Sequence, residues 1–381
     1  MFEKSADKAH IVCSSSSFPG KYYDQSVLAD AICAFIKANN LDFSMEMIKN
    51  LFRNVKVDGR YFRFPVENFC APGRIEQTAK DAIETCVEHA EKNVRKLLRD
   101  TGLRSSDISQ IVSVTLTPAV PSIEARLMNR IAFPSNMKRM PLAGLGCMAG
   151  VAGISRAADY LQGHPNEALI LISCELSSAL WQGSLQNDLS QLLSRLPREP
   201  SLHAEVVMSI VTAALFGDGS GAMLMVGNAH PLASSASISV LDNRSNWIPN
   251  TEHIMGLDYV DNGMRNILRP EVKSFVGVGL QHTIEPLLAD FQISINDIGH
   301  WTIHPGGPKI MDAAEVVFGL SPEQMHGSRE TLRKIGNVSS ATVLCMLDDT
   351  IRHDKPRSGT LGMLVAMGPG FSQEAVLAVW R

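Results

Sequence analysis

Apolar, strand-like runs alternate with amphipathic helical patterns along this 381-residue chain. Residues 108–115 form a short apolar run typical of buried strands, whereas residues 77–100 carry apolar side chains at helical spacing on one stripe. After residue 230 the alternation resumes, with a strand-like run at 238–241 and a helical pattern at 270–291. Alternation in both halves predicts a layered α/β architecture. It also raises the hypothesis of a duplicated fold, although no repeat of individual residues proves it.

Charge and hydropathy exclude several classes of protein. The formal net charge is −4, with both signs mixed throughout, so the sequence presents no basic face for nucleic acid. Residues 1–8 alternate in charge without the apolar segment of a signal peptide, and no run is long enough to cross a bilayer. We therefore expect a cytoplasmic protein that neither inserts into membranes nor binds nucleic acid.

The cysteines do not form a cross-linking or metal-binding pattern. There are seven, an odd number, with no Cys-x-x-Cys pair and no Cys/His cluster at the spacing of a metal site. Disulfides and bound metal are therefore not expected, and each thiol has to be judged separately. The seven are Cys13, Cys33, Cys70, Cys86, Cys147, Cys174 and Cys345.

Cys147 has the most unusual surroundings of the seven. It lies in the small-residue segment 141–150, directly before a helical pattern at residues 151–162. Backbone N–H groups and the positive end of a helix dipole stabilise an anion at such a position, which favours the reactive thiolate. The alternative is an inert buried cysteine, because free cysteines usually pack as small hydrophobic residues.

Two other polar residues close apolar segments in small-residue surroundings. His304 ends the strand-like run 301–304, and Asn337 stands where a helix at 338–352 is predicted to begin. Alone, such a histidine is usually a surface or core residue, and such an asparagine is usually a helix N-cap. Together with Cys147 they supply a nucleophile, a base and donors for a developing oxyanion, which predicts an active site.

Two further segments have open interpretations. Residues 45–63 are locally basic, with Lys49, Arg53, Lys56, Arg60 and Arg63, and form either a site for a phosphate-bearing ligand or a solvated helix face. Residues 181–206 are polar with leucines at helical spacing, and lie before a core segment predicted at 207–226. They predict an amphipathic lid or an oligomer contact, with a plain surface helix as the alternative.

Five motifs then occur in one order along the chain. They are Gly-Cys-Met-Ala-Gly around Cys147, Leu-Phe-Gly-Asp-Gly around Phe216, Ile-His-Pro-Gly-Gly at His304, Gly-Asn-Val-Ser-Ser at Asn337 and Gly-Pro-Gly-Phe at 368–371. In these motifs the chain resembles the type III polyketide synthases of the chalcone synthase family, in the thiolase superfamily. Ketoacyl synthase III enzymes also use Cys, His and Asn, but the Pro-Gly-Gly after His304 and the late Gly-Pro-Gly favour the polyketide branch.

The resemblance implies a fold and a reaction. The fold would be the five-layer αβαβα arrangement of two similar halves, here residues 1–229 with the cysteine and 230–381 with the histidine and asparagine, working as a homodimer. The reaction would be iterative decarboxylative condensation of malonyl-CoA onto an acyl-CoA or malonyl-CoA starter held on Cys147. Cyclisation to a phenolic or pyrone product would follow. Coenzyme A thioesters would be the substrates, with no further cofactor and no metal.

The resemblance also implies roles for individual residues. Cys147 would carry the acyl chain, while His304 and Asn337 would orient the malonyl thioester and stabilise the enolate. Phe216 would be a gatekeeper between a coenzyme A tunnel and the cavity. The remaining assignments are Thr115 and Gly368-Pro369-Gly370 to the cavity wall, Val120 to a position that reaches the partner subunit's cavity, and Lys49, Arg53 and Lys56 to the coenzyme A phosphates.

The chain departs from the family pattern at three places. Asn266 falls where plant members have a second gatekeeper phenylalanine, and Met367 gives a softer cavity wall. The stretch 183–206 is longer than in plant members, which suggests that it covers the entrance or the dimer edge. These departures favour an aliphatic acyl-CoA or malonyl-CoA itself as the starter.

Three alternatives remain open at this point. A β-ketoacyl synthase would perform one condensation and release a β-keto product. A non-catalytic homologue would bind a coenzyme A thioester without turning it over. A Cys-His-Asn hydrolase is the third, although no papain-type Cys-Gly-Ser-Cys-Trp motif surrounds Cys147.

Overall fold

The computed structural model describes residues 7–67, 75–117, 119–260, 263–269 and 271–381. Residues 1–6 and Cys70 lie outside the described residues. The strands within these ranges are β1 (Ala9–Ser17), β2 (Lys21–Asp24), β3 (Gly59–Phe62), β4 (Ile108–Val114), β5 (Lys138–Leu142), β6 (Ala168–Leu176), β7 (Asp218–Val226), β8 (Ile238–Trp247), β9 (Met255–Val260), β10 (Gly263–Leu268), β11 (Ile298–Ile303), β12 (Leu361–Gly368) and β13 (Ser372–Trp380).

The helices alternate with these strands along the chain. They are α1 (Gln25–Ala38), α2 (Met45–Asn54), α3 (Ile75–Thr101), α4 (Ile123–Leu127), α5 (Ala149–Gly163), α6 (Ser177–Arg195), α7 (His203–Leu215), α8 (Val272–Asp290), α9 (Pro308–Phe318), α10 (Pro322–Ile335) and α11 (Ala341–His353). None of the described helices combines the length and the apolar character needed to cross a membrane.

One nine-stranded sheet runs through the molecule in the order β11-β12-β13-β8-β1-β7-β6-β4-β5. The pairs β4 with β5, β4 with β6 and β11 with β12 are parallel, and the other neighbours are antiparallel. The first and second parts of the chain meet where β1 pairs with β8 over Ala9 to Ile11. Two short hairpins, β2 with β3 and β9 with β10, stand apart from this sheet.

The two portions of the sheet enclose a central layer of helices. Helix α5 packs against β1, β4 and β6 on one side and against β8, β12 and β13 on the other, and α11 lies beside it. Helices α3 and α4 cover the outer face of the first portion, and α8 with α9 covers the second. The predicted five-layer αβαβα arrangement is therefore confirmed. A central helix buried on all sides must be almost wholly apolar or small, as residues 149–158 of α5 are.

Most of the predicted elements are present. The helical leucine spacing of 181–206 corresponds to α6 and the start of α7, but α7 continues to Leu215, within the core segment predicted at 207–226. Leu189, Leu192 and Leu193 are buried in the main core, where each contributes about 1.5–3 kcal/mol of hydrophobic stabilisation. A stretch anchored in this way is part of the body of the fold. The sequence analysis also missed α10 and the β9–β10 hairpin.

Candidate active site

Cys147 lies in a tight turn at the start of the central helix. Gly144 and Gly146 both have positive φ, and a one-turn 3-10 helix over Gly146–Met148 leads directly into α5. A Cβ on Gly146 would come within 2.7 Å of the Pro369 ring, and one on Gly368 within 2.3 Å of the Leu145 carbonyl oxygen. The loop after β12 therefore packs tightly on the turn that presents the cysteine.

His304 and Asn337 are brought to this turn from the second portion of the chain. His304 directly follows β11, its N–H donating to the Val365 carbonyl on β12 at 2.8 Å, and is buried. Asn337 lies in the short connection between α10 and α11. Its N–H donates to the Leu215 carbonyl at 2.9 Å, and its own carbonyl accepts from the Gly217 N–H at 3.0 Å. The three predicted residues are thus positioned by three different elements of the fold.

All three side chains line one cavity of about 360 Å³. Of the other predicted residues, the structure places five in its wall: Phe216, Asn266, Met367, Pro369 and Gly370. Thr115 is not in the wall, and the neighbouring Leu116 is. Gly368 supports the Cys147 turn from behind instead of lining the cavity. No lysine or arginine is among the described lining residues, which are mostly apolar.

The electrostatics at Cys147 oppose the thiolate that its position before a helix favours. Burial raises the pKa of its thiol to about 11, and the Glu175 carboxylate acts in the same direction. The Ser339 hydroxyl, which lies 3.8 Å from Sγ and accepts from the thiol, lowers the pKa, and the nearby Asn337 amide lowers it more weakly. Desolvation penalises the charged form and outweighs both of these contacts. The resting group is a neutral thiol.

His304 is also neutral at physiological pH. Burial lowers the pKa of its imidazole to about 4. Neither ring nitrogen has a hydrogen-bond partner among the described residues, and the same holds for the Asn337 side-chain nitrogen Nδ2. The Asn337 oxygen Oδ1, by contrast, accepts from the Ser339 N–H at 2.8 Å, which fixes the orientation of the amide. Buried donors without partners beside a nucleophile are placed to receive a developing negative charge.

Glu175 is a functional candidate that the sequence analysis missed. It is buried near the end of β6, where Oε2 accepts from the Leu116 N–H at 2.8 Å and Oε1 accepts from the Ser340 hydroxyl. Burial raises the pKa of its carboxyl to about 7. The predicted strand ended at residue 173, so the acidic residue that follows it was not considered. The available signal was an acidic residue at the end of an apolar strand, together with the serines that follow Asn337, one of which binds it.

Asn266 belongs to the missed β9–β10 hairpin, which forms one wall of the cavity. Its side-chain Nδ2–H donates to the Thr212 hydroxyl on α7 at 3.0 Å. The neighbouring Arg265 pairs with Asp188 on α6 and with Glu205 on α7 at 3.3 Å. The segment once expected to form a lid therefore braces the hairpin that lines the cavity.

The remaining predicted residues lie elsewhere. Val120 is 96% exposed on the isolated chain. Lys49, Arg53 and Lys56 line a separate surface depression together with Arg333. Gln25, on the floor of that depression, donates to the Ala214 carbonyl at 2.9 Å, two residues before Phe216. The depression and the cavity therefore adjoin the same end of α7.

Comparison with known families agrees with this geometry. The family model described as chalcone and stilbene synthases, C-terminal domain, matches residues 240–379. A second model, FAE1/type III polyketide synthase-like protein, matches residues 39–194. The two matches together include Cys147, His304 and Asn337.

Individual relatives extend the match over nearly the whole chain. A 1,3,6,8-tetrahydroxynaphthalene synthase of Streptomyces peucetius subsp. caesius is 32% identical over 96% of this chain and 91% of its own. A phloroglucinol synthase of Pseudomonas fluorescens is 25% identical over 88% of this chain and 90% of its own.

Solved structures show the same fold. The type III polyketide synthase structure from Streptomyces coelicolor superposes with a TM-score of 0.84 at 24% identity, covering 98% of this chain and 99% of its own. PKS-I of the brown alga Ectocarpus siliculosus superposes with a TM-score of 0.83 at 19% identity, and 100% of both chains is covered. This chain belongs to the type III polyketide synthase family, the acyltransferases related to chalcone synthase.

Proposed function

We propose that this protein condenses malonyl-CoA repeatedly onto an acyl group carried by Cys147 and releases a cyclised phenolic or pyrone product. The observation that carries the proposal is the single cavity into which Cys147, His304 and Asn337 project. A thiol nucleophile next to a neutral imidazole and an amide with an unpartnered N–H suits acyl transfer followed by enolate chemistry. No metal and no cofactor beyond the coenzyme A thioesters takes part in the proposed reaction.

Loading begins from the neutral pair. As the Cys147 sulfur attacks the carbonyl of the acyl-CoA, its proton passes to the His304 imidazole, which is unprotonated above about pH 4. The bond to the coenzyme A sulfur breaks, and the proton on His304 passes to that departing thiolate. A high thiol pKa suits this order of events, because the charge appears only during attack.

Extension then uses the unpartnered donors. The malonyl carboxylate leaves as CO₂, and the electron pair of the broken C–C bond forms an enolate whose oxygen accepts hydrogen bonds from His304 and from Asn337 Nδ2. The enolate carbon attacks the thioester carbonyl on Cys147, and the cysteine leaves as a thiolate. The extended chain, now on coenzyme A, returns to Cys147 for the next round.

Counting malonyl units tests the proposal. The protein is incubated with isotope-labelled malonyl-CoA and a panel of aliphatic acyl-CoA starters, and the products are read by mass spectrometry. We expect two or more malonyl units per product in the wild type and none in C147A. One unit per product would identify a single-condensation ketoacyl synthase, and background CO₂ release with every starter would identify a non-catalytic binding homologue.

We also infer the wider context of the reaction. The proposed subunit is one half of a cytoplasmic homodimer, and the exposure of Val120 suits a residue that enters the partner subunit's cavity. In this proposal residues 1–229 supply the cysteine and residues 230–381 the histidine and asparagine. The depression with Lys49, Arg53 and Lys56 would hold the coenzyme A phosphates, with Phe216 between it and the cavity.

A further inference from the structure

Arg60 belongs to the basic segment 45–63, but it is fully buried on β3 and therefore lies neither on a solvated helix face nor in the depression with Lys56. Its Nη1–H groups donate to two carbonyl oxygens, that of Ala213 at 2.7 Å and that of Phe216 at 2.8 Å. Both carbonyls belong to the C-terminal end of α7, where backbone acceptors have no partner within the helix. A single guanidinium therefore caps the C-terminal end of α7 and also binds the carbonyl of Phe216, the residue after the helix.

The same end of α7 carries the backbone of the active site. Phe216 and Asn337 pair as an isolated parallel bridge, closed by the bonds from Asn337 to Leu215 and from Gly217 to Asn337. One residue of the bridge puts an aromatic ring in the cavity wall, and the other provides the amide beside Cys147. Whatever fixes the bridge therefore fixes both groups.

The stem of Arg60 packs against both sides of this bridge. A Cβ on Gly217 would lie 3.1 Å from Cβ of Arg60, and a Cβ on Gly336 would lie 2.7 Å from its Cγ and Cδ. Gly336 also has a φ of 70°, where L-residues are strained. The glycines next to Phe216 and Asn337 thus allow the bridge to close directly onto the arginine.

The charge of Arg60 suits its position. A cation at the C-terminal end of a helix interacts favourably with the dipole, and its bonds to carbonyl oxygens are strengthened by the charge. Burial lowers the pKa of the guanidinium to about 9, while Asp218 acts in the opposite direction, so the group is cationic at neutral pH. Asp218 itself accepts from the Arg63 N–H at 2.7 Å and from the Ser178 N–H at 2.8 Å.

We propose that Arg60 is a positioning residue for the condensation step: it fixes the Phe216–Asn337 bridge and thereby the place of the Asn337 amide relative to Cys147. The inference rests on the proposed condensation activity. Cys147 itself is held by the turn before α5 and by the loop after β12, which packs on that turn through Pro369. The hydrogen bonds of Arg60 go to neither segment. Arg60 should therefore affect the steps that need Asn337 far more than the reactivity of Cys147.

The test compares R60K and R60Q with R63K, a matched change at an exposed arginine on the same segment. We expect malonyl-CoA decarboxylation and condensation to fall by roughly 10-fold in R60K and 100-fold in R60Q, as a displacement of about 1 Å can cause. The KM for malonyl-CoA should stay at the wild-type value, and the alkylation rate of Cys147 should change far less than kcat, because Asn337 lowers the pKa of the thiol only weakly. R63K should match the wild type throughout. Hydrogen exchange should accelerate in peptides containing 213–217 and 335–338, but not in those containing 145–150.

Three results would overturn the proposal. The first is a folded R60Q with wild-type kcat, and the second is a parallel loss of Cys147 alkylation and kcat, which a merely structural role would give. If the Arg60 variants do not fold, G217A places a Cβ 3.1 Å from both Arg60 Cβ and the Ile335 carbonyl oxygen beside the bridge, and a wild-type kcat in that variant would be the third. Absence of decarboxylation in the wild-type protein would instead refute the proposed function, so the two failures are distinguishable.

Discussion

The backbones of Phe216 and Asn337 form a parallel bridge that ties the end of α7 to the connection before α11. The bridge joins the two parts of the chain at the active site, since Cys147 and Phe216 come from the first and His304 and Asn337 from the second. The site is therefore a product of the assembled sheet and its central helices, and no local segment could form it alone.

The resting thiol at Cys147 predicts a distinctive pH profile of alkylation. With a thiol pKa of about 11 and an imidazole pKa of about 4, the neutral pair prevails at neutral pH. The iodoacetamide rate should rise about tenfold per pH unit from about pH 7 to pH 9, because the thiolate is the nucleophile. The C147A variant supplies the background from the other cysteines. A plateau already reached near neutral pH would mean a stored thiolate–imidazolium pair and would contradict this interpretation.

Glu175 predicts a pH-dependent contribution to stability. Its pKa rises from 4.5 to about 7 on folding, so the folded state binds more protons than the unfolded state between these values. The free energy of unfolding contributed by this group therefore falls as pH rises through that window. E175Q should flatten this part of the stability curve in denaturant titrations at several pH values.

The same variant should lower the free energy of unfolding by about 1–3 kcal/mol, because the amide nitrogen that replaces one carboxylate oxygen can only donate, so that either the Leu116 N–H or the Ser340 hydroxyl loses its acceptor. It should also raise the alkylation rate of Cys147 at about pH 8, since the carboxylate that raises the thiol pKa is removed. Wild-type and E175Q curves that stay parallel from pH 4.5 to pH 7 would rule out the assigned titration.

N337D tests the amide donor with little change of shape. An aspartate keeps the oxygen that accepts from Ser339 N–H but removes the N–H donors facing the cavity. Malonyl-CoA decarboxylation should fall by about 10²–10³, the usual cost of losing one oxyanion donor. Loading of Cys147 by an acyl-CoA, followed by intact-protein mass, is the internal control and should persist. Retention of wild-type decarboxylation would remove Asn337 from the mechanism.

The size of the side chain at Asn266 should influence the length of the polyketide, because this residue lines the cavity. Replacing it with phenylalanine fills part of the cavity, so N266F should shift the product mixture toward polyketides with fewer malonyl units. T212V is the matched control, because it removes the hydrogen bond to Asn266 while leaving the cavity wall nearly the same size. Unchanged product ratios in N266F would show that another part of the wall sets the length.

The depression lined by Lys49, Arg53 and Lys56 predicts a change in KM alone. R53A/K56A should raise the KM for malonyl-CoA several-fold with kcat preserved, because the residues would contact the coenzyme A phosphates and not the reacting atoms. The exposed Lys80 provides the matched control, as K80A removes a positive charge on α3. Equal KM values in R53A/K56A and the wild type would exclude this depression as the coenzyme A site.

The sequence predicted the reacting groups better than their environment. Cys147, His304 and Asn337 were visible because small-residue motifs mark strand and helix ends, and that pattern is local. The thiol pKa was not predictable, since it depends on how completely distant segments exclude water from the sulfur. Arg60 was assigned to a basic surface segment and Glu175 was missed for a related reason: each contacts residues far away in sequence. The helical spacing of leucines in 181–206 was visible in the sequence, but their burial was not, because a helix that packs in the core carries the same leucine spacing as a surface helix.

The most direct test is the acyl intermediate itself. The protein is mixed with isotope-labelled acyl-CoA, quenched in acid and digested, and the peptide containing Cys147 is examined by mass spectrometry before and after addition of malonyl-CoA. The expected result is a label on Cys147 that grows by successive two-carbon units, with none in C147A. A label on any other residue, or product formation by C147A at the wild-type rate, would contradict the central claim.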